Sequence, residues 1–210
     1  MELILASGSA RRRELMTACG YEFTVIPSRA DEDIEFSSPQ ELVRALSLKK
    51  AEAVFLSLPS ERKTNAVVVG SDTVVTLGGE LLEKPASPEE ARDMLRRESG
   101  RVNVVLTGLA VVRMGENGEL VRSVTHDSAS VRFAPLSEEE INAYVATGDP
   151  LDKAGAYGIQ GPFSMFVESV EGSYFTVVGL PVHLLYRELK KAGVTPRMLG
   201  ITQNSPDFLK

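Results

Sequence analysis

The chain carries one cysteine, Cys19, so no disulfide can form within it. No apolar run approaches the roughly 18 residues that a bilayer-spanning helix needs. The N-terminus lacks a basic region followed by a long apolar stretch, so no secretory signal is expected. There is no excess of positive charge. A net charge of -6 and a pI of about 5.1 argue against a general nucleic-acid binder. No aromatic-basic platform for single strands is present either. Neither the GxxxxGK[ST] phosphate loop nor the GxGxxG fingerprint occurs. The histidines, His126 and His183, lack zinc-ligand spacing and are read as structural or surface groups. These absences point to a soluble cytoplasmic protein without nucleic-acid or membrane partners. The remaining composition, 43% hydrophobic and 25% charged over 210 residues, is that of a globular chain with one sizeable core or two small lobes.

Local patterns place the elements. "MELILA" reads as a short buried strand. Ser9 is a candidate N-cap for a helix that runs to about Cys19 and stops at Gly20. "YEFTVIP" reads as a second strand, "SRADEDIEFSSP" as an acidic loop and residues 40–58 as a helix. "AVVVGSDTVVTL" is a β-branched strand followed by a Gly78-Gly79 hairpin signal. Ser87, Pro88 and Glu90 open another helix. Two long strands joined by "GENG", a capped helix in "SEEEINAYVATG" and the Gly-rich loop "DPLDKAGAYGIQGPF" follow. "MFVESV" and "SYFTVVGL" read as strands, and "PVHLLYRELKKAG" as the last helix. Alternating elements with consecutive middle strands predict an α/β (α+β) fold around a mixed sheet. Residues 1–193 are expected to form one domain, and 194–210 a loosely held tail.

Several charged residues sit where charge is costly. On the 3.6-residue period, Arg12 falls in line with Leu15, Met16 and Cys19, while Arg11 lies at the edge of that stripe and Arg13 points away. Arg11 and Arg12 thus stand at a helix mouth, where amides bind anions and arginine grips phosphate. An internal salt bridge is the competing explanation. Lys50 sits among Val43, Leu46, Ala53 and Val54, with Lys49 at the margin. Lys50 either snorkels to the surface or reaches an anion. Asp72 is placed just after a buried strand segment, where it can hold a metal or act as a base. Lys84 precedes Pro85 and is biased to an extended form. The run Asp31, Glu32, Asp33, Glu35 is either solvated charge or the source of a second carboxylate. Cys19, on an apolar stripe, is read as core. Cations, two carboxylate sites and no nucleophilic Ser-His or Cys-His set suggest a metal-assisted reaction on a phosphorylated small molecule.

From residue 3 to about 189 the chain resembles the Maf-like nucleoside triphosphate pyrophosphatases. The resemblance rests on "LASGSARR", "DED", "KKAEAV", "VVGSDTVV", "LEKP", "SGRVNVVLTG", "DKAGAYGIQG" and "GSYFTVVGLP" in that order. "AGAYGIQG" is similar to the branch acting on dTTP and UTP. The resemblance implies hydrolysis of the triphosphate to monophosphate and pyrophosphate. It also implies a divalent metal (Mg²⁺, Mn²⁺ or Co²⁺), a homodimer, and an elongated twisted mixed sheet flanked by helices, with two lobes and a central cleft as in the Maf/ITPase-like fold. By matched motif it makes Asp72 the catalytic carboxylate, joined by Lys84 and Glu32. Asp72 and Glu32 would serve the metal. Ser9, Arg12 and Lys50 would line the triphosphate site, and Arg11, Thr73 and Gln160 would bear on base preference.

The chain departs from the family pattern at Ala10, where proline is usual, and at Asn103, where histidine is frequent. A proline at the first helical position only pre-sets the backbone, so Ala10 changes little. Asn103 would alter activity or its pH dependence if that histidine served metal or phosphate. The alternative function is a non-catalytic nucleotide-binding regulator of cell division and septum formation. Retention of Asp72 and Lys84 argues against it.

Overall fold

The computed structural model describes residues 1–197. Its elements in chain order are β1 (Glu2–Leu5), α1 (Ala10–Ala18), β2 (Thr24–Val25), α2 (Pro39–Ser57), α3 (Ser60–Lys63), β3 (Ala66–Leu77) and β4 (Glu80–Leu82). There follow α4 (Pro88–Glu98), β5 (Val102–Met114), β6 (Leu120–Phe133), α5 (Glu138–Ala146), β7 (Val167–Glu171), α6 (Tyr174–Val178) and α7 (Val182–Lys191). One mixed sheet runs in the order β2-β1-β3-β5-β6-β7, with β4 paired to β3. β1 is parallel to both β2 and β3, and every other pairing is antiparallel. The long β5–β6 hairpin makes the sheet elongated, in line with the predicted architecture.

Serine caps start four helices, three of them, at Ser9, Ser87 and Ser137, as the sequence predicts. The side chains of Ser9, Ser38, Ser87 and Ser137 each accept the backbone N–H three residues on. Only Ser137 and Glu140 complete a reciprocal capping box, because Glu90 turns instead to the N–H of Ala86. Alternation along β3 divides its side chains. Val67, Val69, Val75 and Leu77 enter the larger core with α1, α4, α5 and α7, whereas Val68 and Val74 face α2. Gly70 and Gly108 let α2 lie directly on the sheet. A Cβ at Gly70 would run into the Ser47 carbonyl, and one at Gly108 into the Val43 carbonyl. That close approach brings the α2 face bearing Lys50 down to β3.

Four expectations are corrected. "YEFTVIP" supplies only the two-residue β2. Asp72 does not follow a strand but lies inside β3, opposite Gly108 of β5. "SYFTVVGL" is not a strand: Tyr174–Val178 form α6 despite their β-branched and aromatic content. Gly179, at φ 114°, closes that helix by donating its N–H to the carbonyls of Phe175 and Thr176. This glycine C-cap outweighs weak strand propensity. Finally, the start of the tail is held. Val194 donates to the Leu189 carbonyl at 2.8 Å and Arg197 to that of Gly20 at 3.0 Å. The rest of the expected tail, 198–210, lies outside the described residues.

Asn103 is only 1% exposed and joins a buried chain of polar groups. It donates to Glu98 Oε1 at 3.0 Å and accepts from the Tyr157 hydroxyl at 3.0 Å. The Asn103 departure therefore falls behind the Gly-rich loop and braces Tyr157. Burial pushes the Glu98 pKa well above the carboxylate range, against the lowering effects of Asn103 and Arg97. Its Oε2 has no partner. A raised folded pKa means stability that is complete below the unfolded carboxylate pKa and lost as pH climbs toward the folded value. Glu98→Gln removes that titration. Its melting temperature is expected to gain on the wild type as pH rises from about 5 to about 8. Parallel melting curves across that range would exclude Glu98 as the source of the pH dependence.

Candidate functional site: a charged cleft beside an unpaired strand edge

The site begins with a mismatch in strand length. β1 pairs with β3 only as far as Val69, and β4 begins pairing at Val75. Between them, residues 70–74 of β3 have β5 on one side and no strand on the other. A cleft of about 840 Å³ opens there. Because successive strand residues face opposite ways, Asp72 points to the α2 face and Thr73 to the α1 face.

Every candidate site residue, Ser9, Arg11, Arg12, Glu32, Lys50, Asp72, Thr73, Lys84 and Gln160, lines this one cleft. Lys50 does not snorkel away. Its ammonium lies 2.6 Å from Asp72 Oδ1 and 3.0 Å from Glu32 Oε1. Glu32 comes from the acidic loop, whose other carboxylates, Asp31, Asp33 and Glu35, are exposed. Among the described residues Arg12 makes no ion pair. It donates to the Gly179 carbonyl at 2.8 Å, to Ser7 Oγ at 3.1 Å and to Thr73 Oγ1 at 3.1 Å. Burial presses the Arg12 pKa down, partly offset by Asp72 and Glu32. Arg13 is exposed, as the helical period predicts. Among the described residues, no hydrogen bond or ion pair ties the charged ends of Arg11 and Lys84, which leaves two cations available at the cleft wall.

Gln160, in the Gly-rich loop, reaches the cleft, and among the described residues no hydrogen bond fixes its amide. Gly155 and Gly158 serve packing within the protein. A Cβ on the first would stand 3.0 Å from Val75, and on the second 2.7 Å from the Lys153 stem. Sequence reasoning also passed over Lys153, Asp149 and Asp152, which line the same cleft. Lys153 commits its three donors to the Asp149 carbonyl, Asp149 Oδ1 and Asp152 Oδ1, at 2.6, 2.9 and 2.7 Å. The available signal was the "DPLDK" run, whose i, i+4 spacing allows such a pair. Burial alone would raise the Asp152 pKa, but the Lys153 hydrogen bond and charge hold it below the ordinary value. His126 is half-buried in β6, His183 is exposed on α7, and Cys19 packs against the core.

Among the described residues no three His, Cys, Asp or Glu side chains are gathered as a metal cage. Asp72 and Glu32 nevertheless converge on one ammonium, so both can reach one cation. Mg²⁺ is commonly bound by one or two carboxylates together with substrate phosphates. The donor set fits a divalent ion whose remaining positions are filled by phosphate and water.

A mixed-sheet α/β fold with cations and paired carboxylates in one cleft defines a protein suited to small polyanions. More particularly, the chain belongs to the Maf family: the family model, described as Maf-like protein, matches residues 2–192. A dTTP/UTP pyrophosphatase of Symbiobacterium thermophilum is 49% identical over 193 residues, covering 91% of this chain and 94% of its own. A dTTP/UTP pyrophosphatase of Bacillus cereus is 44% identical over 195 residues, covering 92% and 96%. Among solved structures, the Staphylococcus aureus Ham1 protein superimposes with a TM-score of 0.51 at 16% identity, covering 91% of this chain and all of that one. That likeness is one of fold.

Proposed function

We propose that this protein is a nucleoside triphosphate pyrophosphatase that hydrolyses dTTP and UTP to the nucleoside monophosphate and pyrophosphate. The observation that carries the proposal is the joint placement of Arg11, Arg12, Lys50 and Lys84 with Asp72 and Glu32 in one cleft that also holds Gln160. The relatives' shared activity supports the choice of substrate.

In this reading the cations receive the triphosphate. Asp72 takes a proton from water, or helps hold the metal, as that water attacks the α-phosphorus. The bond from the α-phosphorus to its bridging oxygen breaks, and pyrophosphate leaves with the charge that Lys84 and Arg12 balance. A divalent cation held by Asp72 and Glu32 would supply Lewis acidity toward phosphate oxygens. Beside Ser9, whose own N–H goes to Ser7 Oγ, the first turn of α1 offers amide donors to a phosphate. Residues 1–193 act as one domain of two lobes around the cleft. A cytoplasmic homodimer completes the proposal, and its mass in solution tests the assembly.

The decisive assay is pyrophosphate release from canonical and modified nucleoside triphosphates with Mg²⁺, Mn²⁺ and Co²⁺. Release from dTTP and UTP is expected. Nucleotide binding with no release under any metal would support the non-catalytic regulator instead.

Gln160 carries a further expectation. Its amide can meet the N3–H and a neighbouring carbonyl of uracil or thymine together. Discrimination requires that amide to be held in one orientation against the base. Gln160→Ala is expected to lower the UTP-over-CTP ratio of kcat/KM by roughly tenfold, the scale of one unmatched polar contact. An unchanged ratio would remove Gln160 from base reading.

A further inference from the structure

Behind Thr73 runs a chain of hydroxyls whose direction is forced. Thr107, on β5 opposite Thr73, is fully buried. Its Oγ1 lies 2.7 Å from the Thr176 carbonyl oxygen of α6 and 3.0 Å from Thr73 Oγ1. A carbonyl can only accept, so Thr107 spends its one hydroxyl proton on Thr176. Thr107 must then accept from Thr73, which spends its own proton in turn. Arg12 Nη2 donates to Thr73 Oγ1 from the other side, at 3.1 Å. Toward the cleft Thr73 therefore presents a lone pair and no proton.

Gly179 lines the cleft beside this oxygen and leaves room there. A Cβ there would stand 3.2 Å from Thr73 Oγ1, and the glycine has φ 114°. A hydroxyl of fixed polarity in such a place selects a donor. The phosphates of an ionised triphosphate offer none, so the complementary group is on the base or the sugar. Uracil and thymine carry a donor at N3, and cytosine carries an acceptor there.

We infer that Thr107, which is buried behind the cleft wall, is a positioning residue that fixes Thr73 as an acceptor and thereby favours bases with an N3–H over cytosine. The inference rests on the proposed pyrimidine triphosphatase activity and adds a mechanism of selectivity to it. With Thr73 accepting from N3–H, the Gln160 amide would donate to a neighbouring carbonyl of the base, so the two contacts do not compete.

The variant Thr107→Val keeps the β-branched shape and removes the hydroxyl. Thr73 would then be free to turn its proton into the cleft and donate to the cytosine N3. The measurement is kcat/KM for UTP and for CTP in wild type, Thr107→Val and Thr107→Ser. In Thr107→Val the UTP-over-CTP ratio is expected to fall about tenfold, partly through a gain for CTP, and Thr107→Ser should stay within about twofold of wild type. A loss of structure alone would depress both substrates together without any gain for CTP. Equal proportional losses, or a serine variant that behaves like the valine one, would overturn the inference. If Thr107→Val does not fold, Thr107→Cys carries the test, because its thiol is only a weak donor and acceptor. A lowered ratio supports the inference and an unchanged one overturns it. A wild type that releases pyrophosphate from neither nucleotide overturns the proposed function itself. A wild type that prefers UTP, with that preference unmoved in Thr107→Val, overturns this inference alone.

Discussion

Asp72→Asn is expected to lower turnover by roughly 10²–10⁴-fold, the usual scale for a positioned acid-base group. The side chain sits in the middle of β3, where β1 has ended and β4 has not begun, so its carboxylate meets the cleft rather than a neighbouring strand. Asparagine keeps the shape and retains an oxygen that can accept from Lys50, now 2.6 Å from Asp72. It loses the charge needed to hold a cation or accept a proton. The fold should survive, because α2 still packs through Gly70 and Gly108 and Lys50 still has Glu32. Turnover on dTTP at saturating metal, paired with a thermal melt, is the measurement. A well-folded variant with near wild-type turnover would remove Asp72 from the chemistry.

Lys84→Ala is expected to lower kcat by about 10²-fold, comparable to removing one preorganised stabiliser of a developing anion. Lys84 leaves the β4 end of the cleft just before Pro85. Unlike Lys50 and Lys153, its ammonium has no carboxylate within ion-pair distance among the described residues. The charge that accumulates on departing pyrophosphate is greatest in the transition state, so the loss should fall on kcat more than on KM. Arg13→Ala supplies the contrast, since Arg13 is exposed one residue from Arg12 and should change turnover by less than about twofold. Equal losses at Arg13 and Lys84 would point to overall charge rather than to the geometry of the cleft.

The sequence by itself determined what is local. Ser9, Ser38, Ser87 and Ser137 start their helices because a side-chain oxygen satisfies an amide three residues away. Gly78 and Gly79 turn β3 into β4 because both need positive φ, 60° and 90°. The helical period separates Arg12 from Arg13, and the ordered motifs carry the family resemblance without reference to the fold. Even α6 was legible in principle, through Gly179 at its end, although five residues with strand propensity concealed it.

Only the tertiary structure decided how these parts meet. That Lys50 pairs with Asp72 follows from two glycines, on β3 and β5, that let α2 descend onto the sheet. That residues 70–74 face open space follows from where β1 stops and β4 starts, which is a property of three strands together. Arg12 is oriented by a carbonyl 167 positions away in the chain, and Thr73 by a buried hydroxyl on the neighbouring strand. Hydrogen-bond direction along such a chain depends on which atoms can only accept, and no local pattern records which carbonyl will lie at its end.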